Sequence, residues 1–251
     1  VKDFLPFHFY KKISNKKIKL VDITKNILKI RSTKDSKELK IIEKCMKITN
    51  HVIKFVENNL TKQYRENVFA KEVELYAVKK GAEGFSFNTI VAFDENSKYP
   101  HHQTSNKKLK ESGIIDFGIV YKNYTSDVTI PFLLSNNKEK MKALENLNEI
   151  YDLSIELINN YFDITNVSQK IEEIFNKKGY KLIHSLGHGI GLEVHEWPTI
   201  NKKFKEINFS NNMIITIEPG IYLKNFGFRL ENDFLIKNKK LKVLTKAKII
   251  S

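Results

Sequence analysis

Several residue types are scarce in this sequence, and each scarcity closes off a class of protein. Cysteine occurs once, at Cys45, in 251 residues. An intrachain disulfide framework is therefore excluded, and a reducing compartment fits. No apolar run approaches the roughly 20 residues that a membrane-spanning helix needs, so no membrane partner is expected. The opening VKDFLPFHFYKK lacks an apolar core followed by a small-residue cleavage site; no signal peptide is expected, and the cytoplasm is the default location. Acidic residues are the minority, 29 against 43 Lys and Arg, which leaves a net charge of +14. Such a charge invites nucleic acid. The lysines, however, are spread through every segment and interleaved with Asn, Ile and Glu, and no nucleic-acid-binding motif accompanies them, so a solvated basic surface is expected and no nucleic-acid partner. The chain is long enough to bury a substantial core, and its apolar and charged fractions are those of a globular protein.

Residues 1–33 hold only short apolar runs (FLPFHFY, IKLVDI, ILKI) between lysines. They are too little for a domain and are expected to be the tail of an N-terminal domain or a linker, with the main domain over 34–251. The chain opens with Val rather than Met, and an upstream portion is expected to be absent from it. From Asp35 the pattern is helical. Asp35 with Glu38 forms a capping box, and Ile42, Cys45, Met46, Thr49, Ile53 and Val56 recur at helical spacing to about Leu60. A second helix, about 66–80, stops at Gly81, and FSFNTIVAF reads as a strand. The second half repeats this order: a helix from about 137 to 161, a shorter one over 168–178, a stop at Gly179, and YKLIHSL as a strand. The junctions KKGAEGFSF and KKGYKLIHS are alike. A duplicated helix-helix-strand unit is expected, its two halves facing each other across a cleft.

What is present in quantity is chemistry-bearing side chains in a few places. HSLGHGIGLEVHEWP, residues 184–198, and the pair His101 and His102 together hold five of the seven histidines. Gly187 and Gly189 flank His188 and permit close approach to it, and EVHEW reads as a strand carrying His195. Between the halves, IIDFGIVYKNYTSDVTIPF reads as a hairpin turning at Lys122 and Asn123. In that register Gly118 faces Asp127 and Asp116 faces Thr129. The two aspartates then share one face of adjacent strands and repel unless a cation lies between them, with Gly118 leaving that space open. Near the end, MIITIEPGIYL places Glu218 at the tip of an apolar strand. In GFRLENDFLI, alternation sets Arg229, Glu231 and Asp233 opposite Phe228, Leu230 and Phe234. A buried Glu218 needs a partner: a salt bridge with Arg229 is the ordinary solution, a metal the sharper one.

Two Asp, two Glu and one His form a hard, oxygen-rich ligand set suited to Mn²⁺, Fe²⁺, Co²⁺ or Zn²⁺. Two such ions can share a hydroxide and clamp a carbonyl, with spare histidines as donors, and amide hydrolysis follows. In this order, DFGxxYxxYxSDVT, HSLGHGIGLEVHEWP, IEPGIY and GFRLEND resemble the pita-bread metallopeptidases, the Xaa-Pro peptidases (prolidase and aminopeptidase P) above all. The likeness runs from about Ile30 to the C-terminus. It implies an α+β pita-bread catalytic domain over 34–251, with pseudo-twofold halves around a curved antiparallel sheet, a proline-containing peptide substrate and a homodimer. It implies Asp116, Asp127, His188, Glu218 and Glu231 as ligands of two divalent ions, Mn²⁺ or Co²⁺ ahead of Zn²⁺ or Fe²⁺. Asp127 and Glu231 would bridge, Asp116 would serve one ion, and His188 with Glu218 the other. By the same resemblance His101 and His195 contact the substrate, Glu218 also relays a proton, and His184 and Arg229 are typical of the proline-specific branch. Thr199 stands where some dipeptidase relatives carry an Arg after HExP. Methionine aminopeptidase is the alternative within the fold, and a non-catalytic peptide- or protein-binding module the alternative outside enzymes.

Overall fold

The computed structural model describes residues 6–14, 21–61, 63–203 and 207–251; the apolar runs at 4–10 and 18–23 lie partly outside them. Two helices come first, α1 (Phe7–Ser14) and α2 (Thr24–Ser32); α1 buries no residue and α2 only Ser32. α3 (Ser36–Asn59) begins at the expected capping box: Asp35 accepts the amides of Lys37 and Glu38, and Glu38 accepts the amide of Asp35. The predicted stripe from Ile42 to Val56 is buried. α4 (Glu66–Lys79) is stopped by Gly81, whose φ of +100° is a left-handed conformation that glycine reaches without strain.

FSFNTIVAF does not form one strand. It divides into β1 (Gly84–Phe85) and β2 (Ile90–Phe93), which join different sheets. The division falls at Ser86, whose hydroxyl donates to the carbonyls of Ile119 and Ser126 and so ties β1 to the hairpin tip. The hairpin itself comprises β3 (Ser112–Phe117), β4 (Ile119–Tyr121), β5 (Tyr124–Thr125) and β6 (Val128–Leu133). Lys122 and Asn123 have φ of +49° and +65°, as a two-residue hairpin turn of the primed type requires. Tyr121 pairs with Tyr124 and Asp116 with Thr129, the expected register. The ladder is interrupted at Gly118, where a Cβ would lie 2.0 Å from the Ser126 carbonyl oxygen. Glycine here admits the opposing backbone; it does not hold open a space between the aspartates, as the sequence suggested.

In the second half, α5 (Lys138–Asn160) matches expectation, while α6 (Ile164–Lys177) starts earlier than 168 because Asp163 caps it through the Asn166 amide. YKLIHSL is not a strand: Ile183 is exposed, and pairing begins only at β7 (Gly187–Gly189). β8 (Glu196–Ile200) likewise starts one residue after His195, which therefore ends a loop instead of lying within a strand. The remaining strands are β9 (Ile214–Ile217), β10 (Gly220–Tyr222), β11 (Gly227–Arg229), β12 (Asn232–Lys237) and β13 (Lys240–Val243).

The two larger sheets run β2-β3-β6 and β13-β12-β9-β7-β8, antiparallel throughout, and a bridge between Thr129 and Glu231 joins them. Each half backs its sheet with a helix pair, α3–α4 or α5–α6, as the predicted duplication requires. Among the described residues a main buried core runs through both halves, from Phe117 and Phe132 to Phe175 and Phe228, and a smaller cluster joins Ile42, Met46 and Tyr124 to Ile190, Ile214 and Leu235. The correspondence extends to charge. Asp116 lies near the end of β3 and Glu218 directly after β9; Asp127 directly precedes β6, and Glu231 directly precedes β12. Two halves thus bring two carboxylates each to the seam between the sheets.

Candidate metal centre

Five side chains expected from the sequence meet at that seam. Three overlapping sets each offer ligand atoms within 4.8 Å of one another: Asp116, Asp127 and Glu231; His188, Glu218 and Glu231; Asp127, His188 and His195. His188 Nε2 lies 3.6 Å from Asp127 Oδ2 and 3.5 Å from Glu218 Oε1. The ring is fixed from behind, since Nδ1 sits 3.0 Å from the Gly189 carbonyl. A carbonyl only accepts, so Nδ1 carries the proton and donates, and the Nε2 lone pair is turned toward the carboxylates. Burial drives the His188 pKa down to about 3 with help from neighbouring His195, so the imidazole is neutral and free to ligate.

The β7 backbone explains why glycines surround this histidine. A Cβ on Gly187 would lie 2.0 Å from the Thr216 carbonyl oxygen, and one on Gly189 2.4 Å from that of Trp197. Only bare backbone lets β8 and β9 close on His188 from both sides.

The carboxylates are poorly satisfied by protein alone. Asp116 Oδ1 and Glu231 Oε1 are buried without a hydrogen-bond partner, and an orphaned buried acceptor is costly. Burial, reinforced by Glu231, raises Asp127 and Glu218 well above the usual carboxylate range; burial and Asp116 bring Glu231 up to about 8. Asp116 is also raised by burial, though Arg229 opposes the shift. Like charges crowded in a dry site either take up protons or take a cation. The donor set is hard and oxygen-rich with one imidazole, the orphan oxygens point to a missing partner, and divalent metal ions fit it.

Arg229 does not pair with Glu218. Its Nη2 donates to Asp116 Oδ2 at 2.5 Å, Nε to Thr129 Oγ1, and Nη1 to the Pro100 carbonyl and the Tyr222 hydroxyl. The expected salt bridge is thus replaced by one that leaves Glu218 open to the cavity. His184 Nε2 meets the same Tyr222 hydroxyl at 3.1 Å, and burial followed by Arg229 lowers the His184 pKa to about 4. The ring of His195 stands edge-on to that of His188 at 4.4 Å. His101, His184 and His195 line the same cavity of about 960 Å³ as the five clustered side chains, with Arg229 and Thr199 also in its wall. His102 also lines the cavity, but its Nε2 is engaged by buried Glu66 at 2.9 Å.

Three supporting residues escaped the sequence. Thr129 donates to Glu231 Oε2 at 2.7 Å, Thr216 accepts the amide of His188, and Asp233 accepts the amide of Asp127. The alternation of Asp233 with Glu231 was a usable signal for the last. Thr129 closes the motif DFGxxYxxYxSDVT and faces Asp116 in the expected register, which was its signal; nothing local marks Thr216.

Residues 40–238 match metallopeptidase family M24. The Xaa-Pro dipeptidase of Pyrococcus furiosus is 34% identical over 245 residues, covering 95% of this chain and 70% of that protein. An uncharacterised peptidase of Methanocaldococcus jannaschii is 35% identical over 96% of this chain and 70% of its own length. Among solved structures, prolidase from Pyrococcus furiosus superposes with a TM-score of 0.90 at 33% identity, over 98% of this chain and 74% of that one. An X-Pro aminopeptidase from Thermotoga maritima gives 0.88 at 29% identity, over 99% and 72%. The α+β architecture is the pita-bread fold of these structures. On its sequence, its fold and the cluster at its seam, this chain belongs to metallopeptidase family M24.

Proposed function

We propose that the chain is a dinuclear metal-dependent peptidase that hydrolyses the bond before proline in Xaa-Pro peptides. The observation that carries this is the meeting of Asp116, Asp127, His188, Glu218 and Glu231 with two orphaned carboxylate oxygens among them. In this reading those five residues hold two divalent ions, Mn²⁺ or Co²⁺ ahead of Zn²⁺ or Fe²⁺. Once bound, such ions supply a water of lowered pKa and a clamp for a carbonyl oxygen. Glu218, which faces the cavity, takes up the proton of the attacking water and delivers it to the departing proline nitrogen. His195 and His101 donate to the oxygen of the scissile amide, while Arg229 and Tyr222 fix Asp116 and His184 in place. The names of the relatives, Xaa-Pro dipeptidase and prolidase, support proline as the residue after the bond. A homodimer belongs to the same proposal, and sedimentation of the purified protein tests it.

Retention of all five side chains argues against a non-catalytic binding module, and the relatives' names argue against methionine aminopeptidase. The test is turnover of an Ala-Pro peptide against a Met-Ala-Ser peptide with Mn²⁺ or Co²⁺ supplied. The expected result is cleavage of the former, about two ions per chain, and loss of both metal and activity in Asp127→Ala. Methionine release without Xaa-Pro turnover, or a fully active Asp127→Ala, overturns it.

A further inference from the structure

Behind His195 lies a buried ion cluster that the chemistry above leaves without a role. The Glu196 side chain is 4% exposed and the Lys34 side chain 1%. Glu196 Oε2 accepts from Lys34 Nζ at 3.0 Å, and Oε1 from Arg31 Nη2 at 2.6 Å. The same Oε1 accepts the backbone amides of Leu192 and Glu193 at 3.0 and 3.3 Å. One carboxylate therefore gathers two cations from the segment ahead of α3 and two amides of the loop that ends at His195. His195 lines the cavity; Arg31, Lys34 and Glu196 are not among its described lining residues.

The loop has little freedom around this cluster. A Cβ on Gly191 would lie 2.7 Å from Glu196 Oε2 and 2.9 Å from Lys34 Nζ, so the backbone is pressed directly onto the ion pair. On the other side the Gly191 carbonyl accepts the amide and hydroxyl of Thr125, two residues before Asp127. Lys34 is itself held by its amide, which donates to the Asn212 carbonyl. A buried pair of this kind contributes little net stability over an apolar replacement, but it specifies geometry, because removing either partner strands the other charge. The geometry specified here is that of the residue adjoining Glu196.

We propose that Glu196, Lys34 and Arg31 are positioning residues whose buried ion cluster fixes the 191–195 loop and thereby sets the His195 imidazole beside the candidate metal centre. The proposal rests on the role given to His195 above. It also makes the segment ahead of α3 a working part of the peptidase, through a contact that spans 162 residues of sequence.

The test is a double-mutant cycle of Glu196→Gln and His195→Ala on an Ala-Pro peptide with Mn²⁺, with metal content measured on each variant. A displacement of about 1 Å at a group acting in the transition state costs on the order of 100-fold. Glu196→Gln is therefore expected to lower kcat about 10- to 100-fold with KM changed less than about 3-fold and metal content unchanged. In the His195→Ala background the same substitution should have no further effect on kcat, because the residue it acts through is gone. A cluster that serves folding alone would lower Tm and leave kcat in place, or its cost would multiply with that of His195→Ala; either result overturns the proposal. Full activity in His195→Ala by itself would instead remove the role of His195, and the proposal with it. Should Glu196→Gln fail to fold, Lys34→Met, which leaves the Arg31 and loop-amide bonds to the carboxylate, is judged by the same criteria.

Discussion

Stripping the metal from this protein should make its stability fall as pH rises through neutrality, against the usual trend of a carboxylate-rich site. Without a cation the clustered carboxylates are crowded and dry, and Glu231 titrates at about 8 instead of near 4.5. A carboxyl with a raised folded-state pKa binds its proton in the folded chain and not in the unfolded one. Its contribution is therefore fully present below the unfolded pKa, near 4.5, declines from there, and is lost as pH rises through the folded value. Buried His188 and His184, lowered to about 3 and 4, act in the opposite sense, but their unfolded counterparts have nearly finished titrating by pH 7. Between pH 7 and 8.5 the Glu231 carboxyl thus removes about 1 kcal/mol net of the two histidines. Asp127 and Glu218, also raised, add to the loss. For a chain of this length each kcal/mol is worth roughly 2–4 °C in Tm. Thermal unfolding of the chelated protein across that range is the assay, and refilling with Mn²⁺ should flatten or invert the slope, since ligands must shed protons to bind. A chelated protein whose Tm is level or rising between pH 7 and 8.5 would refute the crowding on which the site is built.

Other outcomes follow from single contacts. Thr129→Val removes the hydroxyl that Glu231 and Arg229 share; metal affinity, read by titration, should fall about 10- to 100-fold with the fold intact. Gly187→Ala drives a methyl to 2.0 Å from the Thr216 carbonyl oxygen. Backbone cannot yield as a side chain does, so urea unfolding should register a loss of at least about 1–3 kcal/mol. Phe175→Ala, at a fully buried position on α6 that is not among the residues lining the cavity, should cost about 3–5 kcal/mol in the same assay with KM for an Ala-Pro peptide unchanged.

The parts legible in the sequence were those set by local rules. Asp35 and Glu38 announced the start of α3, and Lys122 with Asn123 fixed a hairpin whose register carried Asp116 to its place opposite Thr129. Strands were less legible where their partners decided them. YKLIHSL is as apolar as a strand, yet only its last residue, Leu186, bonds to backbone beyond α6, at Ile200 and Glu218, whereas the glycines around His188 pair because β8 and β9 need bare backbone between them. The carboxylates could be named from their positions on strands, but the destination of Arg229 could not. Choosing Asp116 over Glu218 depends on how two sheets meet, and Thr129 and Pro100 help to decide it. The Lys34–Glu196 contact was invisible for the same reason: each residue alone reads as an ordinary surface charge.

The seam between the β2-β3-β6 sheet and its larger counterpart has a consequence for how the enzyme comes into being. Asp116 and Asp127 are made early in the chain; His188, Glu218 and Glu231 come more than sixty residues later. A nascent chain truncated after α5 would own the two aspartates but neither His188 nor the two glutamates that complete the cluster. The complete five-residue cluster therefore exists only once both halves have docked, and ions held by all five side chains would report an assembled molecule.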